Sequence, residues 1–318
     1  MKFSREILHN RHRLSHQQID MWLGENSSKE FLQEKMRQLV KVKNFINLGD
    51  LLHKNGIPFV NLKGPLLSYR IYNDATVRIS NDIDILIDEE MIDSTIKILF
   101  ENQFEFSHGT IWPQKKSHQK HILRYFHHLT FFNKELNMSL EVHWKLLNNL
   151  PVSDDKLKNM IKNNLIKMDF SGRKWTVLNP EFDLFFLMIH GANHKWERLK
   201  WLVDVSDYPT LDVNFLVFEN LVKEFKAERI LDQTNFFLEQ FFNKKLPCSA
   251  NTKLPKSFIN FTIKSIENEM ALKFSVKEYA YRYYYGIQMF PDISYKFGII
   301  SRALYRSWSV VRLKFSFE

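Results

Sequence analysis

Asp82 and Asp84 stand two residues apart in Asp82-Ile83-Asp84-Ile85-Leu86-Ile87, a run whose initial strict alternation and β-branched residues predict a strand. Alternation puts both carboxylates on one face and Ile83 and Ile85 on the other, with the two Cβ atoms roughly 6.6 Å apart. At that separation two carboxylates converge on one cation or on a pair, and they repel unless something positive lies between them. A solvated strand face has the same pattern, but the upstream residues add what such a face lacks. Residues 57–62 predict a strand entering Gly64, and Pro65 suits the first turn of a helix, where its missing N–H costs nothing. A glycine at a strand-to-helix turn lets backbone N–H groups approach an anion closely, with the helix dipole behind them. Lys63 supplies a cation beside it. A phosphate cradle feeding a carboxylate pair is the layout of metal-dependent phosphoryl or nucleotidyl transfer, in which Mg2+ ions bridge carboxylates and triphosphate.

Leu62-Lys63-Gly64, Tyr72, Arg78 and Asp82-Ile83-Asp84, in that order, resemble the nucleotidyltransferase fold of DNA polymerase β type. They look most like a large bacterial branch that carries Leu-Lys-Gly, Tyr, Arg and Asp-hydrophobic-Asp. The superfamily has Gly-Ser or Gly-Gly at the cradle, whereas here Pro65 follows Gly64 and the spacer 66–81 is longer; the branch carries both features. The resemblance implies an α+β fold: a polymerase β-like mixed sheet with helices, followed by a mostly helical C-terminal domain. It also implies a nucleoside triphosphate as substrate, Mg2+ or Mn2+ held by Asp82 and Asp84, and phosphates held by Lys63, Gly64, Ser68 and Arg78. In that fold a third carboxylate comes from a later strand, and Glu141-Val142-His143-Trp144 resembles the branch's motif at that position. Glu141 is thereby expected to complete the metal site and help deprotonate the acceptor. His143, two residues along the same face, is expected to orient Glu141 or touch substrate.

A second motif fills residues 187–204. On a helix His190 and His194 lie one turn apart on one face, the spacing of a metal pair. No glutamate follows His190 as a metalloprotease needs, and Gly191 weakens the helix, so the pair is read as a wall of the nucleotide pocket. His194, Arg198 and Lys200 then face phosphate, with Trp196 or Trp201 available for stacking. The resemblance extends to this His, Trp, Arg-Leu, Trp and Asp pattern, although Trp201 and Asp204 fit plain packing and an internal salt bridge equally well. Segment 108–128 holds His108, His118, His121, His127 and His128 with little periodicity. No pair there has both zinc-helix spacing and a carboxylate partner, so it is read as an exposed loop with solvated histidines.

Around these motifs, residues 17–55 show apolar positions at helical spacing, including Met21, Leu32, Met36, Leu39, Val40, Phe45, Leu48 and Leu52, and predict two helices layered on the sheet. Ser27-Ser28 is expected to cap the second, and Asn55-Gly56 to end it. Asp88 reads as the cap of a helix over 89–102. Runs 128–132 and 138–144 predict a hairpin, 156–166 a helix, and 167–178 a second hairpin turning at Ser171-Gly172-Arg173. Asn179-Pro180-Glu181 is a helix start, after which the chain is helical almost to its end. The expected organisation is N-terminal helices over 1–55, a catalytic domain over 56–178 and a helical domain over 179–318.

The chain has 318 residues, enough for a sizeable core, and a net charge of +9 from 45 basic and 36 acidic residues, which suits an anionic partner. The single Cys248 excludes an intramolecular disulfide framework and a cysteine-based zinc site. With no signal-peptide stretch and no apolar run of about 18 residues, a cytoplasmic protein without a transmembrane segment is expected. The segment 299–317 interleaves aromatics with Arg302, Arg306 and Arg312. It is read first as core packing with solvated cations, and alternatively as a peripheral contact for anionic lipid or nucleic acid. The leading functional reading is transfer of a nucleoside monophosphate from an NTP to a sugar, peptide or other small-molecule acceptor. Transfer to RNA or a partner protein, as in toxin–antitoxin systems, and a non-catalytic basic binding module are the alternatives.

Overall fold

The computed structural model of the chain describes residues 3–25, 29–107, 109–147, 150–268 and 276–315, the side chains of Phe258 and Lys277 and those beyond 305 excepted. Ser27, Ser28 and His108, and the side chains of Arg306 and Arg312, lie outside that description.

Ser15 opens α1 (His16–Leu23) with a reciprocal capping box to Gln18, and α2 follows (Lys29–Lys54). The chain then alternates through β1 (Val60–Asn61), α3 (Gly64–Tyr72), β2 (Asp82–Leu86), α4 (Ile92–Glu101), β3 (Phe104–Phe106) and α5 (Lys116–Tyr125). Next come the β4–β5 hairpin (His128–Asn133, Met138–His143), α6 (Asp154–Asn163) and the β6–β7 hairpin (Leu165–Phe170, Arg173–Leu178). The second hairpin turns on Ser171 and Gly172, both with positive φ, as a tight two-residue turn requires. Asn179 caps α7 (Pro180–Asn193) by accepting the Phe182 N–H at 3.0 Å. Six further helices follow among the described residues: α8 (Leu199–Ser206), α9 (Phe215–Glu224), α10 (Glu228–Phe242), α11 (Lys256–Glu267), α12 (Val276–Gln288) and α13 (Ile293–Phe315). No described helix is long and apolar enough to cross a membrane.

The seven strands form one mixed sheet in the order β3-β4-β5-β2-β1-β7-β6. β2 runs parallel to β5, and β1 parallel to β7; every other neighbour is antiparallel. The fold is therefore α+β, a mixed sheet with helices followed by a helical C-terminal part. The alternation of β2 divides the core. Ile83 and Ile85 join Leu140 and Val142 of β5, Phe45, Leu48 and Leu52 of α2, and Ile92 and Leu99 of α4. Leu86 and Val60 look the other way, into a cluster with Phe182, Phe186 and Ile189 of α7 and Leu202 of α8. The aspartate face thus lies beneath α7.

Two expectations change, and one strand lies where none was expected. α5 occupies the middle of the presumed loop 108–128, with only Ile122 and Leu123 of its turns packed against the core, too few for a periodic signal. β3 is three residues long, too short to reveal itself by alternation. Met21, Leu32, Met36, Leu39 and Val40 are exposed, because only the second half of α2 overlies the sheet; Leu8, Leu14 and Ile19 instead join the α7 cluster.

Gly49 of α2 is where that helix meets the sheet. A Cβ there would stand 2.3 Å from Cη2 of Trp175, a buried ring stacked on Phe45 at 4.3 Å. Alanine is ordinarily the better helix former by about 1 kcal/mol, yet Gly49→Ala is expected to destabilise by a net ~1–2 kcal/mol through overpacking. Urea unfolding giving a higher midpoint for the variant would refute this contact.

Candidate active site

The parallel pairing of β2 with β5 sets Asp82 opposite Ser139, Asp84 opposite Glu141 and Leu86 opposite His143. Because side chains alternate, Asp82, Asp84, Glu141 and His143 all share the face beneath α7. His143 Nε2 stands 3.2 Å from Asp84 Oδ1 and 3.2 Å from Glu141 Oε2, bridging two carboxylates that would otherwise repel. One donor atom from each of the three lies within 4.8 Å of the others. Asp84 and His143 are buried, while Glu141 keeps 24% of its side chain in solvent, so the cluster opens on the Glu141 side.

The turn from β1 into α3 delivers the next group. Gly64 has φ +68°, and a Cβ built on it would meet nothing within 4 Å. The turn demands a glycine and leaves a backbone cradle with free space over it. Lys63, directly before it, is buried and points its Nζ at Asp84 Oδ1, 3.2 Å away, with His190 Nε2 at 3.4 Å on its other side. Burial by itself would raise the Asp84 carboxyl, but Lys63 and His143 hold it well below the usual carboxylate range. Burial lowers His143, and its hydrogen bonds to Asp84 and Glu141 outweigh that, leaving it raised. Burial and the nearby Lys63 push His190 well down, so it stays a neutral imidazole.

The structure brings together Lys63, Gly64, Asp84, Glu141, His143 and His190. Other expected residues are used differently. Asp82, half-buried at the start of β2, belongs to no donor cluster among the described residues. Ser68 is fully buried; its hydroxyl donates to the Asp74 carbonyl at 2.6 Å and accepts the Arg78 N–H at 3.0 Å, fixing the spacer loop instead of facing a phosphate. The Arg78 guanidinium is committed to a two-pronged pair with Asp204, Nε to Oδ1 at 2.7 Å and Nη2 to Oδ2 at 2.9 Å. Tyr72 likewise donates to Asp207 at 2.9 Å. These residues pin the spacer to α8. His194 is half-buried and stacked at 4.4 Å on the buried Trp201 ring. Trp196 is wholly buried, its ring filling the space beside Gly191, so neither tryptophan is open to a base. Arg198 stands at the N-terminal boundary of α8 and leans over the Trp201 ring at 5.9 Å. Lys200 is half-buried, and desolvation together with Arg78 lowers it to about 8.

Two histidines of the segment 108–128 lie beside the carboxylate cluster. His128 begins β4 directly opposite His143, with ring centres 4.9 Å apart, and His127 follows at 5.4 Å from His143. The signal was present in the alternation of His128, Thr130 and Phe132, which faces the same way as Glu141 and His143 once the hairpin is paired in register. His190 was noted only as one half of a helical pair; its contact with Lys63 depends on where α7 lands.

The family model described as an uncharacterised nucleotidyltransferase matches residues 8–243, well over half of the chain. No curated protein matches. Among solved structures the chain is similar to an antigenic nucleotidyltransferase-like protein from Paracoccidioides brasiliensis, at 16% identity and a TM-score of 0.32, covering 68% of this chain and 95% of that one.

Proposed function

We propose, because the chain belongs to the uncharacterised nucleotidyltransferase family, that it transfers a nucleoside monophosphate from an NTP to the hydroxyl or phosphate of a small-molecule acceptor. The observation that carries this reading is the convergence of Asp84, Glu141 and His143 within 4.8 Å, beside the Lys63-Gly64 turn. Two carboxylate oxygens and one imidazole fit Mg2+ and suit Mn2+ still better, since Mn2+ accepts nitrogen more readily. A divalent ion held there supplies charge neutralisation for the triphosphate. Asp82, one pleat along β2, extends the carboxylate row toward a second ion.

The residues of the chain supply the rest. The Gly64 turn offers backbone N–H groups to a phosphate, with the α3 dipole behind them. Lys63 neutralises Asp84 until the substrate arrives and then shares its charge with the phosphates. Glu141, the most solvent-exposed of the three clustered donors, is suited to take the acceptor's proton. The single, buried Cys248 suits a reducing cytoplasm. A reading as an inert binding module would leave the open glycine turn and the carboxylate cluster beside it without a role.

Incubating the full chain with each of the four NTPs and Mg2+ or Mn2+ tests the proposal. Pyrophosphate release or labelling of an acceptor is expected with the divalent ion and not with excess chelator. Glu141→Gln should lower the rate by about 10²–10⁴, the range of a lost general base, with unchanged melting temperature. Release that persists at the same rate in chelator would refute metal-dependent transfer.

A further inference from the structure

We propose that His127, His128 and His143 form a second cation site beside the carboxylate cluster, taking a nitrogen-preferring divalent ion of the Zn2+ type. Each ring offers a nitrogen lying within 4.8 Å of those of the other two. His127 Nε2 and His128 Nδ1 are 3.0 Å apart. Around a tetrahedral ion with bonds of ~2.0–2.1 Å, ligand nitrogens stand about 3.3 Å apart, so the pair needs to open by only a few tenths of an ångström.

A second observation points the same way. His143 uses Nε2 for Asp84 and Glu141, while its Nδ1 is buried without a hydrogen-bond partner. Buried polar atoms are seldom left unpaired, so this nitrogen is open to a ligand. The backbone beneath the rings is held firmly: His128 pairs with His143 across β4 and β5, and the Trp144 N–H donates to the His127 carbonyl at 3.0 Å. His127 and His128 are half-buried, which leaves an ion a way in. Mg2+ is excluded by chemistry, since it prefers oxygen and gives up its waters reluctantly. Imidazole donors favour Zn2+, Co2+, Ni2+ or Cu2+. His143 lies between this site and the carboxylates, so an ion on the histidines would fix the ring that bridges Asp84 and Glu141.

The test uses the full chain loaded with Zn2+ in the presence of excess Mg2+ and without nucleotide, so its outcome is independent of whether transfer occurs. X-ray absorption at the zinc edge should report three imidazole nitrogens at ~2.0–2.1 Å. A shell of oxygens alone would overturn the site. His127→Ala/His128→Ala should weaken Zn2+ binding by about 100-fold or more while leaving Mn2+ binding nearly unchanged, because Asp84 and Glu141 remain. Equal Zn2+ affinity in that variant, or Zn2+ binding abolished by Glu141→Gln but indifferent to the two histidines, would mean that the ion occupies the carboxylate cluster and the proposal is wrong. If the double variant misfolds, the absorption measurement on the unaltered protein decides alone.

Discussion

Asp84→Asn is expected to abolish nucleotidyl transfer, lowering the rate by at least ~10³-fold, while the protein remains folded. The substitution is nearly isosteric and removes one charge from the residue on which the site converges: Asp84 Oδ1 meets both Lys63 and His143 at 3.2 Å. Without that charge the Glu141 carboxylate must neutralise a divalent ion alone, and the preorganised electrostatics that stabilise transition-state charge are lost. Folding is expected to survive because the amide keeps the shape of the carboxylate and its oxygen can still accept from Lys63 and His143. Pyrophosphate release, metal affinity by calorimetry and the melting temperature together decide the matter. A variant with the activity of the unaltered protein would show that Asp84 is a structural anion for Lys63 and nothing more.

Arg78→Ala is expected to have the largest effect on stability. Arg78 and Asp204 retain only 6% and 2% of their side chains in solvent, and the guanidinium matches the carboxylate prong for prong. Burial lowers Arg78, but Asp204 more than offsets it and keeps the guanidinium charged. Removing one partner leaves a buried charge uncompensated, a loss of about 3–5 kcal/mol and on the order of 10 °C in melting temperature. Arg78→Met combined with Asp204→Leu should recover much of that loss, since an apolar pair of similar volume avoids the desolvation penalty. If Arg78 instead held phosphate, the single variant would show a raised KM for NTP at unchanged melting temperature. That outcome would refute the structural role.

What the sequence determined by itself was local. The alternation of residues 82–87 set both aspartates on one face, the glycine and proline at 64 and 65 marked a strand-to-helix turn, and Asn179-Pro180 opened α7; each depends on neighbours within a few residues. The β4–β5 hairpin was legible for the same reason, because a short turn fixes its register. Given that register, His128 opposite His143 follows, yet the histidines were read by their composition and not by their strand face. Only the tertiary structure decided the partners of the charged residues. Glu141 meets Asp84 because β5 joins β2 in parallel, a pairing between residues 57 positions apart that no local pattern encodes. Arg78 reaches Asp204 across 126 residues, and Lys63 reaches His190 across 127, so two cations that read alike as phosphate-binding divide into a structural pin and a cation on the carboxylates. A buried charge takes whichever counter-charge the packing of helices on the sheet brings within about 3 Å, because the low dielectric there makes an unpaired charge too costly, and which one it meets is settled by the assembled fold.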